Sequence, residues 1–229
     1  ILLTVNVSAT NKLVPVPEGA VTATAITYGQ TLDGSFITGT MKDGDTEVPG
    51  TFAWQDPNRI LTAGTHTGVE WKFTPSDTRI YEEVTGTTTV TVNRAAQSGT
   101  VNMENYIYNT TPGTPGLTNR AGDEDASVTY YYSTANSTSG GTKWENIQPT
   151  TLNAGTYYMY AVVSETDNYS AFTSDAVEFT VGKATPDYTM PAGLTAKYGQ
   201  KLGEIALINP SDNLPGTWSW QTPGMVLDQ

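Results

Sequence analysis

Val90-Thr91-Val92-Asn93-Arg94-Ala95 reads as the closing strand of a small β-domain, and the chain carries it in three versions. The others are Leu3-Thr4-Val5-Asn6-Val7-Ser8-Ala9 and Phe179-Thr180-Val181-Gly182-Lys183-Ala184. Their last alanines, Ala9, Ala95 and Ala184, recur roughly every ninety residues, a period of tandem β-domains rather than of a solenoid. Two longer phrases keep the register. Tyr28-Gly29-Gln30-Thr31-Leu32 returns as Tyr198-Gly199-Gln200-Lys201-Leu202. Pro49-Gly50-Thr51-Phe52-Ala53-Trp54-Gln55 returns as Pro215-Gly216-Thr217-Trp218-Ser219-Trp220-Gln221. The expected organisation is residues 1–9 as the last strand of a preceding repeat, 10–95 as a first complete repeat, 96–184 as a second, and 185–229 as the N-terminal half of a third.

Within the repeats, apolar residues alternate with period two. Val69, Trp71 and Phe73 are expected on one strand face and Glu70 and Lys72 on the other, until Thr74-Pro75-Ser76-Asp77 breaks the strand. In the second repeat Tyr158, Tyr160 and Val162 are expected to share the buried face. Only 15% of residues are charged, too few for helices with solvated faces, whereas 22 glycines, 13 prolines and 40 threonines suit short strands and tight turns. The fold class read from these signals is all-β, with tandem β-sandwich domains and less than ~10% helix.

Several functions are excluded by composition. There is no cysteine and one histidine, which removes disulfides, thiolate chemistry and cysteine-based metal sites. A net charge of −12 with scattered lysines and arginines offers phosphate no basic stripe, so neither nucleic acid nor an anionic membrane surface is expected as a partner. No apolar run approaches the ~20 residues that cross a bilayer. Ile1-Leu2-Leu3 is too short for the core of a signal peptide, so any export signal is expected outside this stretch.

The sequence names no catalytic, cofactor-binding or metal-binding residue. His66 follows Gly64-Thr65 where the second repeat has Tyr157, and alternation assigns both to the solvent side; no nucleophile elbow accompanies it. Carboxylates gather at Asp43 and Asp45, at Glu82 and Glu83, and at Asp123-Glu124-Asp125, all expected as solvated turns. Only the last trio suggests structural calcium, without the spacing of a helix-loop-helix site. Trp54, Trp71, Trp218 and Trp220 recur at matching places and are expected in cores, whereas Trp144, after Gly140-Gly141, is the tryptophan expected to be exposed.

The phrases Ala25-Ile26-Thr27-Tyr28-Gly29-Gln30-Thr31-Leu32, Val48-Pro49-Gly50-Thr51-Phe52-Ala53-Trp54 and Phe73-Thr74-Pro75-Ser76-Asp77-Thr78 resemble the bacterial immunoglobulin-like repeats of large Gram-positive surface proteins, of the MBG or YDG type. The second repeat has neither Tyr-Gly-Gln nor Pro-Gly-Thr-Phe. Its Leu152-x-x-Gly155-Thr156-x-Tyr158 pattern resembles the corner into strand F of immunoglobulin-like and fibronectin-III-like sandwiches, where a tyrosine hydroxyl bonds back to upstream backbone, with Tyr158 as the candidate. The resemblance implies a non-catalytic, extracellular stalk, spacer or adhesin region attached to a bacterial cell wall, with neighbouring repeats as its first partners. The alternative is a module that binds a surface glycan or host protein through exposed aromatic rings. Unfinished strand edges imply one further partner: head-to-tail self-association, with residues 1–9 of one molecule pairing on the third repeat of another.

Overall fold

The computed structural model describes residues 11–208 and 216–228. The expected closing strand at residues 1–9 lies outside the described residues. No α-helix occurs among those described, only the 3-10 turns Leu32–Gly34 and Leu202–Glu204.

The first unit is built on a four-stranded sheet in the order Ile26–Thr27, Val84–Asn93, Gly64–Pro75, Gly50–Trp54. The first pair is parallel and the others antiparallel. Shorter pairs, Val16–Pro17 with Met41–Asp43 and Thr46–Glu47, and Thr22–Ala23 with Ile37–Thr38, complete the unit. Alternation puts Val69, Trp71 and Phe73 inside, as expected, packed with Ile26, Leu32, Met41, Trp54, Val90 and Val92. Each large side chain so buried contributes about 1.5–3 kcal/mol. Trp71 lies opposite Gly86, and a β-carbon there would collide with the indole ring, so the glycine makes room for the tryptophan.

The second unit has a larger sheet in the order Tyr106–Ile107, Val177–Gly182, Gly155–Val163, Val128–Ser133, Thr142–Lys143, with Phe172–Thr173 also on Gly155–Val163. Ser98–Asn102 and Gly116–Ala121 form a separate two-stranded ribbon. Residues of both, including Val101, Met159, Ala161, Phe179 and Val181, meet in a second core. Each unit is thus an all-β, immunoglobulin-like sandwich with its own core.

The face assignment of Gly155–Val163 corrects the sequence reading. The core side carries Tyr157, Met159, Ala161 and Val163, not Tyr158, Tyr160 and Val162. Tyr160 is buried too, but on the opposite face. It stacks on Tyr131 at 5.3 Å, and its hydroxyl accepts a 3.1 Å bond from the Gly141 N–H of the hairpin at the sheet's edge. Both faces of this strand carry large aromatic or apolar side chains, so apolar alternation could not choose between them.

Tyr157, rather than Tyr158, makes the corner: its hydroxyl donates to the Asn153 carbonyl at 3.0 Å, while Tyr158 reaches Glu178. In the first unit His66 occupies the same position, with Nε2 2.7 Å from the Thr62 carbonyl. His66 is half-buried and anchors the corner, which corrects its assignment to a plain solvent-facing position. A register shift between His66 and Val69 then adds one residue, with Gly68 at φ +73°, where a β-carbon would be strained. That bulge keeps His66 and Val69 both turned inward.

Residues 184–208 and 216–228 contain no strand among those described. They nonetheless repeat the first unit's local bonds. Gln30 Oε1 accepts from Thr27 N at 2.7 Å, and Gln200 Oε1 from Lys197 N at 3.0 Å. Thr31 bridges Ile60 and Lys201 bridges Val226. Trp54 Nε1 donates to the Ser35 carbonyl at 2.7 Å, and Trp220 Nε1 to that of Ile205 at 3.0 Å. Tyr198, Met190 and Ile208 stay largely exposed here, whereas Ile26 and Trp54 of the first unit are covered by its long strands.

Candidate functional site

The arrangement with the clearest functional content is the joint between the two units. The first unit offers one end of its sandwich: Tyr28, the corner Ala63-Gly64, and the strand end Asn93-Arg94. The second unit inserts the loop Ser164–Ser170. Asn168 Oδ1 accepts from the Ala63 N–H at 2.9 Å, and Tyr169 packs edge-on against Tyr28 at 5.4 Å. Arg94 donates to the Asp167 carbonyl at 3.3 Å and pairs with the Glu165 carboxylate at 3.4 Å. The pair is exposed and contributes about 0–1 kcal/mol, so the amide bond and the ring contact hold the geometry.

The connecting residue takes part as well. Ala95 accepts from Ser170 N and donates to the Asn168 carbonyl, both at 2.9 Å, which forms a parallel bridge to Tyr169. Leu13 does the same with Ile80 and Glu82 around Tyr81, so each unit opens with one residue clamped by its own loop. Ala95, expected to close the first repeat, is by its hydrogen bonds the opening residue of the second.

The inserted loop is braced from inside its own unit. Gln97 is buried, and its Nε2 donates to the carbonyls of Ser164 (2.9 Å) and Ser170 (2.8 Å), tying the loop's two ends together. Thr166 N closes on the Tyr169 carbonyl at 2.9 Å. A loop held this way meets its partner with little ordering left to do. Sequence reasoning overlooked Gln97. A lone amide between Ala95-Ala96 and Ser98, in a segment about to enter a sandwich, was the available signal.

The remaining candidates sit apart from the joint. Trp144, expected to be exposed, is half-buried against the second core, edge-on to Tyr132 (5.8 Å) and Phe179 (5.9 Å). The strand Thr142–Lys143 pairs at the sheet's edge and leads Trp144 onto the core face. Trp54 and Trp71 are buried as expected, and Trp218 and Trp220 are half-buried. Asp123 Oδ1 accepts from Asp125 N at 3.0 Å, and the Arg120 guanidinium caps the same turn through the Asp123 and Ala126 carbonyls. Among the described residues no group of three histidines or carboxylates is placed to hold a metal. The hairpin turn carries Asp43 and Asp45, and Lys72, with the Thr74 hydroxyl, holds the Glu83 carboxyl below its ordinary range. Burial pushes the Tyr106 phenol up, and its hydroxyl has no hydrogen-bond partner among the described residues.

A second feature is the outer face of the second unit's large sheet. Tyr131, Tyr158, Tyr160 and Val162 run across it, with the Tyr131 and Tyr160 rings 14° from coplanar. Lys143 pairs with Glu145 at 2.9 Å at its margin, which raises the lysine's pKa.

No family model and no curated protein matches the chain. Among solved structures it is similar to the crystal structure of Drosophila N-cadherin EC1-4, with 10% identity and a TM-score of 0.27, over 82% of this chain and 56% of that one. The chain thus spans little more than half of that structure's length. The fold assignment rests on the chain's own sheets and cores.

Proposed function

We propose that the chain is a non-catalytic spacer region of an extracellular, wall-attached bacterial surface protein, in which immunoglobulin-like repeats are locked end to end. The observation that carries this reading is the joint. A loop prebraced by Gln97 enters the preceding unit and is held there by the Asn168 amide and the Tyr169 ring, while the connection itself, Ala95, is hydrogen-bonded into the same loop. A short connection hydrogen-bonded at Ala95 and tied through the Arg94 side chain transmits orientation, which a spacer needs. The resemblance of the sequence to Gram-positive surface repeats supports the location.

The cysteine-free chain allows spin labels to be placed without background. With labels at the exposed positions Thr85 and Thr142, electron–electron distance measurements are expected to give one narrow distribution. The double substitution Asn168→Ala and Tyr169→Ala should widen it severalfold. A distribution that is already broad in the native chain would sink the spacer reading.

The tyrosine face supports a second reading, a module for a surface glycan or host protein. Tyr131 and Tyr158 are only half-buried, and flat rings with neighbouring hydroxyls suit pyranose stacking. Soluble glycans that shift the Tyr131 and Tyr158 ring signals would favour it.

A further inference from the structure

We propose that the C-terminal end of the second unit is a socket for the equivalent loop of a following unit: an acidic turn ending in Asn-Tyr, chemically like Glu165–Tyr169. This deepens the spacer reading and rests on it in supposing that another unit follows.

The argument is an internal equivalence. Tyr28 and Tyr108 follow strands that pair in parallel with the last strand of their units, Ile26 with Val92 and Tyr106 with Val181. Tyr28 N donates to the Asn93 carbonyl at 2.8 Å, and Tyr108 N to that of Gly182 at 2.9 Å. The next residue has positive φ in both, Gly29 at 92° and Asn109 at 67°. The corner Ala63-Gly64 corresponds to Ala154-Gly155, and Arg94-Ala95 to Lys183-Ala184. Every element that receives the loop in the first unit therefore recurs in the second.

The two ends differ in occupancy. Where Asp167 closes the first joint, a remnant of about 270 Å³ remains. At the second end, Tyr108, Asn109, Ala154 and Lys183, with the following segment Ala184 to Asp187 along one side, line an open cavity of about 620 Å³. Ala63 and Ala95 are half-buried, while Ala154 and Ala184 are exposed. The Ala63 N–H has its bond to Asn168, whereas the Ala154 N–H has no partner among the described residues.

These differences specify the occupant. It must present an amide or carboxyl oxygen to Ala154 N–H, a ring to Tyr108, and negative charge to Lys183, which stands where Arg94 meets Glu165. The first unit's own loop, offered by a second copy, fits poorly. It carries Ile80 where Asn168 stands, and its Asp77 is already bound bidentately by Arg79 at 3.2 and 3.1 Å.

The test uses the full chain and a cyclised peptide spanning Ser164–Ser170. The first socket already holds this loop in cis, so the peptide should find the second. Amide signals of Ala154, Lys183 and Tyr108 should move saturably, with Kd on the order of 1 mM for so small a contact. A peptide with Asn168→Ala, or a chain with Lys183→Glu, should bind at least several times more weakly. Three results would overturn the proposal: no saturable shift, equal binding of the Asn168→Ala peptide, or shifts of the same amides on raising the chain's own concentration, which would assign the site to a second copy. The two readings fail separately. A rigid first joint with no peptide binding removes the socket alone, whereas a loose first joint with peptide binding removes the spacer.

Discussion

The two units turn the same corner, Leu-x-Ala-Gly-Thr, around different side chains. In the second unit Tyr157 closes it, and in the first His66 does, each bonding to the carbonyl four residues back. The surroundings diverge from there. Tyr157 stacks on Phe179 at 5.6 Å and meets Tyr132 edge-on, so its ring is part of the core. Beside His66 the bulge at Thr67-Gly68 separates the imidazole's strand position from Val69. The hydrogen bond is the common requirement of the corner, and the ring is an elaboration of one unit. The outer faces diverge likewise: tyrosines cross the second unit's sheet, whereas Thr85, Thr87, Thr89 and Thr91 cover that of the first.

Separating ring from hydrogen bond gives the largest expected effect. Tyr157→Ala should destabilise the second unit by about 2–4 kcal/mol, through lost packing and the cavity left behind. Tyr157→Phe keeps the ring and should cost only about 1 kcal/mol, the hydrogen bond alone. Denaturant unfolding followed by the fluorescence of Trp144, which touches Phe179, reports on this unit. Equal losses in both variants would mean that the bond, and not the ring, dominates the second corner as well.

The corresponding experiment in the first unit should be milder. His66→Ala is expected to cost about 1 kcal/mol, close to Tyr157→Phe, because only a hydrogen bond is at stake. His66→Tyr should recover part of that loss, since a phenol also donates to the Thr62 carbonyl. A loss near zero for His66→Ala would return this residue to the plain surface role that its sequence position suggested.

How much of this was legible depends on what covers each face. Val69, Trp71 and Phe73 were assigned correctly because Glu70 and Lys72 between them mark the solvent side. Gly155–Val163 offers no such marker: Tyr157, Tyr158, Met159 and Tyr160 are all apolar enough for a core, and Tyr160 is buried on the outer face, stacked on Tyr131 and bonded to Gly141. The one-residue error at the corner, Tyr158 for Tyr157, follows from the same ambiguity. Tyr108-Asn109 escaped notice as the partner of Tyr28-Gly29 because asparagine, and not glycine, adopts the positive φ there. The joint was invisible for a different reason. Its parts, Tyr28, Ala63, Arg94, Gln97 and Asn168, are far apart in sequence and individually ordinary.

The smallest expected effect tests the threonine face. Thr87 is exposed and lies opposite Glu70, also exposed, in an antiparallel ladder. Its methyl and hydroxyl favour the strand modestly, so Thr87→Ala should cost no more than about 0.5 kcal/mol. Tyr131→Ala, on the corresponding face of the second unit, removes a ring stacked on Tyr160 and should cost more, about 1 kcal/mol for the ring pair alone. Thermal unfolding of the two variants measures the difference directly. If Thr87→Ala instead equals or exceeds Tyr131→Ala, the threonine ladder does more than pave a solvated surface. The contrast between a plain first unit and a decorated second one would then fall, and with it the reason for seeking a ligand on the tyrosine face alone.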